Sequence, residues 1–230
     1  MSLNLKENRL SELLRAHIQP RTLGLNLIFA TAYFLFAKLG LLLATLNHSV
    51  SPVWPATGLA FAILNLYGQR YCFSVFLGAL IANSLTGGSL IAAILISFGN
   101  TFEAIAGAWL LHKVQSYQKQ FEYQTDVFSF AIAAAFASLI SAAVGAASLF
   151  FTGVVSKEIV SAVFLTWWVG DALGGLVIGP FLIKLRKNSF RIENLIPLFG
   201  ILVFSGLVFY LVYFVSRASS EFSIIFALRA

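Results

Sequence analysis

Long apolar runs separated by short polar stretches dominate the chain, and their lengths are the first thing that carries information. A helix needs about 20 mainly apolar residues to cross roughly 30 Å of hydrocarbon with its backbone polar groups satisfied internally. Segments of this kind, or close to it, lie at 23–46, 53–67, 71–85, 90–111, 127–151, 159–185 and 195–215. The first exceeds the ~7 to 15 residues of a signal-peptide core, so it is expected to stay in the mature protein. The second is short and opens on Trp54–Pro55, which predicts a tilted or partly re-entrant helix. The third ends at the tight turn Thr86-Gly87-Gly88-Ser89, the mark of a hairpin between helices. The fifth is dense in Ala, Ser and Gly, small residues that let helix backbones approach closely, and is expected inside a bundle. Residues 222–228 are apolar but too short to cross, so the chain is expected to stop within an eighth helix. Over 1–22, Leu10, Leu13, Leu14 and Ile18 face away from Arg9, Glu12 and Arg15, which fits an amphipathic surface helix and equally an unstructured tail. The expected fold is therefore all-α: a polytopic transmembrane helix bundle of about seven helices plus a partial eighth. Residues 1–22 form its N-terminal segment and 23–230 one membrane domain, without internal repeats.

The basic residues test this list of spans, because cytoplasmic loops of membrane proteins are enriched in Lys and Arg. Alternating the loops puts Lys6, Arg9, Arg15, Arg21, Arg70, Lys113, Lys119, Lys184, Arg186, Lys187 and Arg191 on one side and only Lys157 and Arg217 on the other. Eleven against two predicts a cytoplasmic N-terminus and a multi-pass protein of the bacterial inner membrane. The net charge of +6 is thereby topological, and nucleic acid is not among the expected partners.

Composition removes other classes. With 59% hydrophobic and 10% charged residues, and a mean hydropathy of +0.88, the chain has no stretch polar enough to form a soluble catalytic domain of ordinary size. The single cysteine, Cys72, excludes a disulfide framework or a CxxC pair within one chain, and His17, His48 and His112 lie in separate polar stretches. No metal site and no cofactor are expected. The sequence contains no GxSxG elbow, HExxH or P-loop, so no catalytic residues are assigned. Any enzymatic activity would belong to a downstream output domain.

Three ionisable residues fall inside spans: Lys38, Glu103 and Asp171. Each costs an estimated ~2.5 to 3.5 kcal/mol if left facing lipid near the bilayer centre, so each is expected to face the bundle interior. Lys38 is near enough to the outer end of its helix to snorkel, or to reach an acid. Glu103 and Asp171 sit at similar depths. Asn100 shares a helix face with Glu103, and Trp167 and Trp168 precede Asp171 by one turn, so a polar spot walled by indole rings is predicted. Such acids either tie helices together or meet a ligand, ion or proton. Asn65 and Asn83 read more simply as helix bridges. Trp54 and Pro55 read either as interfacial residues or, with Gly58, as the floor of a helix-breaking pocket. The small-residue ridges Gly99-Glu103-Gly107 and Asp171-Gly175-Gly179 predict close packing around the acids.

These residues also form ordered blocks: Val53-Trp54-Pro55-Ala56-Thr57-Gly58, Leu77-Gly78-Ala79 with Asn83, Gly99-Asn100-Thr101-Phe102-Glu103-Ala104, and Thr166-Trp167-Trp168-Val169-Gly170-Asp171-Ala172-Leu173-Gly174. The chain resembles, from about residue 23 to its end, the MASE1 family of bacterial membrane-associated sensor domains. The resemblance implies an inner-membrane input module, commonly of eight helices, fused to cytoplasmic histidine kinase, diguanylate cyclase or phosphodiesterase outputs. It singles out Asn100, Glu103, Trp167, Trp168 and Asp171 as ligand-sensing candidates, with Lys38, Trp54, Pro55 and Asn83 as secondary ones. The expected partners are the lipid bilayer, a cytoplasmic output domain or a membrane partner protein, and, as an option, a second copy of the chain. The competing class is transport, as a small-molecule carrier or the substrate-capturing subunit of an importer; the absence of an inverted repeat speaks against it.

Overall fold

The structure, a computed structural model, describes residues 19–42, 51, 53–86, 89–114 and 124–186. These belong to one compact unit spanning residues 1–187. The segments at 195–215 and 222–228, and nearly all of 1–22, lie outside the described residues, so the count of seven helices and a partial eighth extends beyond the six found here.

The six α-helices follow the apolar runs: α1 Pro20–Leu41, α2 Pro55–Tyr67, α3 Cys72–Ser84, α4 Leu90–Val114, α5 Gln124–Phe151 and α6 Val160–Arg186. A 3-10 turn at Gln69–Tyr71 joins α2 to α3, and there is no strand among the described residues. Local sequence explains most boundaries. Prolines stand in the first turn of α1 and α2, where the missing N–H costs nothing. Ser89 caps α4 by accepting the Ala92 N–H at 3.0 Å. Gly153 ends α5 with φ 72°, its N–H bonding the Phe150 carbonyl while the Val154 N–H bonds that of Leu149.

Four helices, α1, α4, α5 and α6, are long and apolar enough to cross a membrane. The second and third spans are shorter than a full crossing: α2 and α3 each have 13 residues, about 20 Å at 1.5 Å per residue. For α2 this fits the expectation of an incomplete span; for α3, a full crossing was expected and a short helix is found.

Helices α3, α4, α5 and α6 pack in sequence, α1 lies against α3, and α2 touches α1, α4 and α6. Nine of the thirteen residues of α2 are buried, so it is surrounded by helices. The longer helices instead expose large apolar side chains. On α5, Phe128, Ile132 and Phe136 form an outward stripe at four-residue spacing, as a lipid-facing surface requires.

Close approach makes this core possible. A Cβ at Gly58 would meet the Gly174 carbonyl, and one at Gly174 would overlap the Trp54 carbonyl oxygen, so α2 and α6 touch backbone to backbone. Phe61 of α2 fills the grooves left by Gly107 on α4 and Gly175 on α6, and its ring meets Phe130 edge-on at 6.3 Å. The small-residue ridges therefore do what their spacing predicts.

Candidate functional site

The segment entering α2 is extended, and it runs along α6 within the span. The Trp54 N–H donates to the Gly170 carbonyl at 2.9 Å, ten residues and roughly 15 Å into α6. Irregular backbone at membrane depth is tolerated only where protein buries it or a cavity needs it. Trp54 is accordingly buried and packs its ring against Gly40 of α1. The interfacial reading of Trp54 is thus corrected, and Pro55 starts α2 at the level of Asp171.

That entry places Thr57, in the first turn of α2, between the two acids. Its hydroxyl donates to Asp171 Oδ1 at 3.1 Å and makes a longer contact of 3.4 Å with Glu103 Oε2. The positive end of the α2 peptide dipoles is thereby turned toward both carboxyl groups. Glu103 and Asp171 are 1% and 0% exposed, so neither faces lipid.

Two rungs from α5 complete the wall. Ser138 donates to Glu103 Oε1 at 2.7 Å, and Ser141 donates to Asn100 Oδ1 at 2.7 Å. Three residues along α4 correspond to three residues back along α5, as antiparallel neighbours demand. Ser141 also lies within reach of both acids, and Trp167 sits beside Asp171. From α1, the Tyr33 phenol faces Trp54 and Asn100 and is within electrostatic reach of Glu103 and Asp171. Five helices thus converge on one polar cluster.

Of the residues singled out in the sequence, Asn100, Glu103, Trp167, Asp171, Trp54 and Pro55 meet here. Trp168 does not: its indole N–H donates to the Ala135 carbonyl of α5 at 2.8 Å, tying two helices together. Asn83 bonds the Ala79 carbonyl of its own helix at 2.8 Å. Lys38 sets its ammonium 5.8 Å from the centre of the Phe34 ring, and among the described residues no ion pair joins it to either acid. The sequence reading passed over Tyr33, Thr57, Ser138 and Ser141. For the two serines the signal was available: their three-residue spacing on an Ala-rich helix mirrors Asn100 and Glu103.

A model of the MASE1 family matches residues 25–226, nearly the whole chain. The chain belongs to the MASE1 family. No curated protein and no solved structure matches it significantly. MASE1 is a family of membrane-associated sensory domains, and the fold of this MASE1 domain, with several membrane-crossing helices, is that of a multi-pass membrane protein. Chemically, its cluster offers carboxyl, hydroxyl, amide and indole groups suited to holding a polar group. Among the described residues no set of three His, Cys, Asp or Glu side chains gathers that could hold a metal ion.

Proposed function

We propose that this MASE1 domain is the sensory input module of a bacterial inner-membrane signalling protein, with its N-terminus in the cytoplasm, and that the signal is read at the Glu103–Thr57–Asp171 cluster. One observation carries the reading: two fully buried carboxyl groups from different helices share one hydroxyl at the start of a short internal helix. Burying such groups is costly, and a bundle held only by packing has no need of them. Around them, Asp171 Oδ2, Asn100 Nδ2 and Trp54 Nε1 meet no hydrogen-bond partner within the protein, so the cluster retains unused binding capacity.

The route outward is also built. Asp171 stands fifteen residues, roughly 22 Å, from the basic end of α6, and α2 lies backbone to backbone against the same helix. A ligand that binds better to one arrangement of α2 and α6 shifts the balance between arrangements by that difference in affinity. The downstream reader is a cytoplasmic histidine kinase, diguanylate cyclase or phosphodiesterase output.

The test uses the full-length parent in its native membrane, with Glu103→Gln and Asp171→Asn compared against the unaltered protein at matched membrane abundance. Both preserve shape and remove charge. A changed basal output or a lost response supports the reading. Unchanged output from both variants makes the cluster structural only.

A further inference from the structure

The cleft beside the acids has a selective composition. It is lined by Ser51, Trp54, Trp167 and Asp171, is open on one side, and has a free volume of about 10 Å³, at the lower end of what one water molecule needs. Two of its four lining residues carry a buried polar atom that meets no partner in the protein: Asp171 Oδ2 and the indole N–H of Trp54. Ser51 does not compete for them, because its hydroxyl donates to the Val53 carbonyl at 2.8 Å within its own turn. The site therefore presents one carboxyl oxygen and one N–H donor to whatever enters.

We infer that this cleft is a hydroxyl-binding site, taking a neutral group that bonds Asp171 Oδ2 and accepts from the Trp54 indole, supplied either by a water molecule or by a small alcohol-bearing solute. A hydroxyl both donates and accepts, so it satisfies Oδ2 whether or not that carboxyl carries a proton, and satisfies the indole at the same time. A metal or ammonium cation cannot accept from the indole N–H, and it would sit against the positive end of α2. An anion meets the indole but faces two carboxyl groups. An acidic cluster in a membrane invites the assignment of a cation site; the donor in the wall argues against it. Trp54 and Asp171 are also bound into the packing of α2 on α6, through the bond from Trp54 to Gly170 and the contact of Thr57 with Asp171. Occupation of the cleft thus bears on the junction through which a signal would pass. This inference rests on the sensory reading of the cluster only for its consequence; the binding itself is testable apart from signalling.

The experiment uses the purified 230-residue chain in lipid nanodiscs. Methanol, ethylene glycol and glycerol are titrated in one arm, and sodium chloride, tetramethylammonium chloride and sodium acetate in another, with intrinsic tryptophan fluorescence and melting temperature as readouts. In a third arm, without solutes, X-ray radiolysis oxidises side chains that hold an ordered water. A saturable response to an alcohol, lost in Trp54→Phe and kept in Trp168→Phe, identifies a solute hydroxyl as the occupant. Radiolytic oxidation of Trp54 and Trp167 with no response to alcohols identifies water. A saturable response to a cation or to acetate overturns the inference, as does silence in all three arms. The contrast between alcohols and ions is made on the unaltered chain, so it decides the matter even if Trp54→Phe fails to fold. Ion binding with an intact effect of Glu103→Gln on output would sink the ligand class and leave the sensory role standing.

Discussion

Replacing Gly174 with alanine probes the junction on which the site depends. An added Cβ would lie 1.9 Å from the Trp54 carbonyl oxygen and 2.5 Å from its carbon, both backbone atoms that no rotamer change can move aside. Relief requires the strand entering α2 to withdraw from α6 by more than an ångström. That movement breaks the 2.9 Å bond from the Trp54 N–H to Gly170 and pulls Thr57 from Asp171, now 3.1 Å away. Overpacking of a tight core costs about 1 to 3 kcal/mol, and leaving a buried donor unpaired costs about 1 to 3 kcal/mol more. The expected loss is therefore about 2 to 6 kcal/mol, a large part of the stability of a typical domain. Thermal unfolding in a mild detergent or nanodisc, followed by exposure of Cys72 to a thiol dye, measures it. The matched control is Gly24→Ala in α1, where nothing lies within 4 Å of the added Cβ, and which is expected to be neutral or slightly stabilising. If the two variants melt together, the extended segment does not lie against α6 and the geometry of the site is wrong.

Other variants separate packing from polar contacts. Phe61→Ala empties a fully buried ring position between Gly107 and Gly175; in lipid the cavity term dominates, and roughly 100 Å³ at ~24 cal/mol per Å³ predicts a loss of about 2 kcal/mol in the same melting assay. Thr57→Val keeps the shape and removes the hydroxyl between the acids. It should cost about 1 to 3 kcal/mol and alter signalling output in the full-length parent, while Thr57→Ser restores both. Trp168→Phe removes one bond to the Ala135 carbonyl. It should lower stability by only about 0.5 to 1.5 kcal/mol and leave output unchanged, since that indole ties helices together away from the acids.

Much of the architecture was legible along the chain, because lipid imposes a simple rule on apolar run lengths and on where charges can stay. The six runs at 23–46 through 159–185 reappear as six helices in the same order, with ends set by Pro55, Ser89 and Gly153, whose chemistry acts on neighbouring backbone. The expense of burying Glu103 and Asp171 in hydrocarbon likewise marked them as inward-facing. Depth and partnership were a different matter. Trp54 looks interfacial by its place in the sequence, and only the contact with Gly170 puts it deep inside. Trp167 and Trp168 are adjacent and chemically identical, yet a helix turns successive residues about 100° apart, so one borders the cleft and the other bonds α5. Thr57 gains its meaning from residues 46 and 114 positions away. Local chemistry fixes where helices begin, end and refuse lipid; which polar atoms share a cavity depends on rotation and register between helices, and these are settled only when glycine faces bring the backbones together.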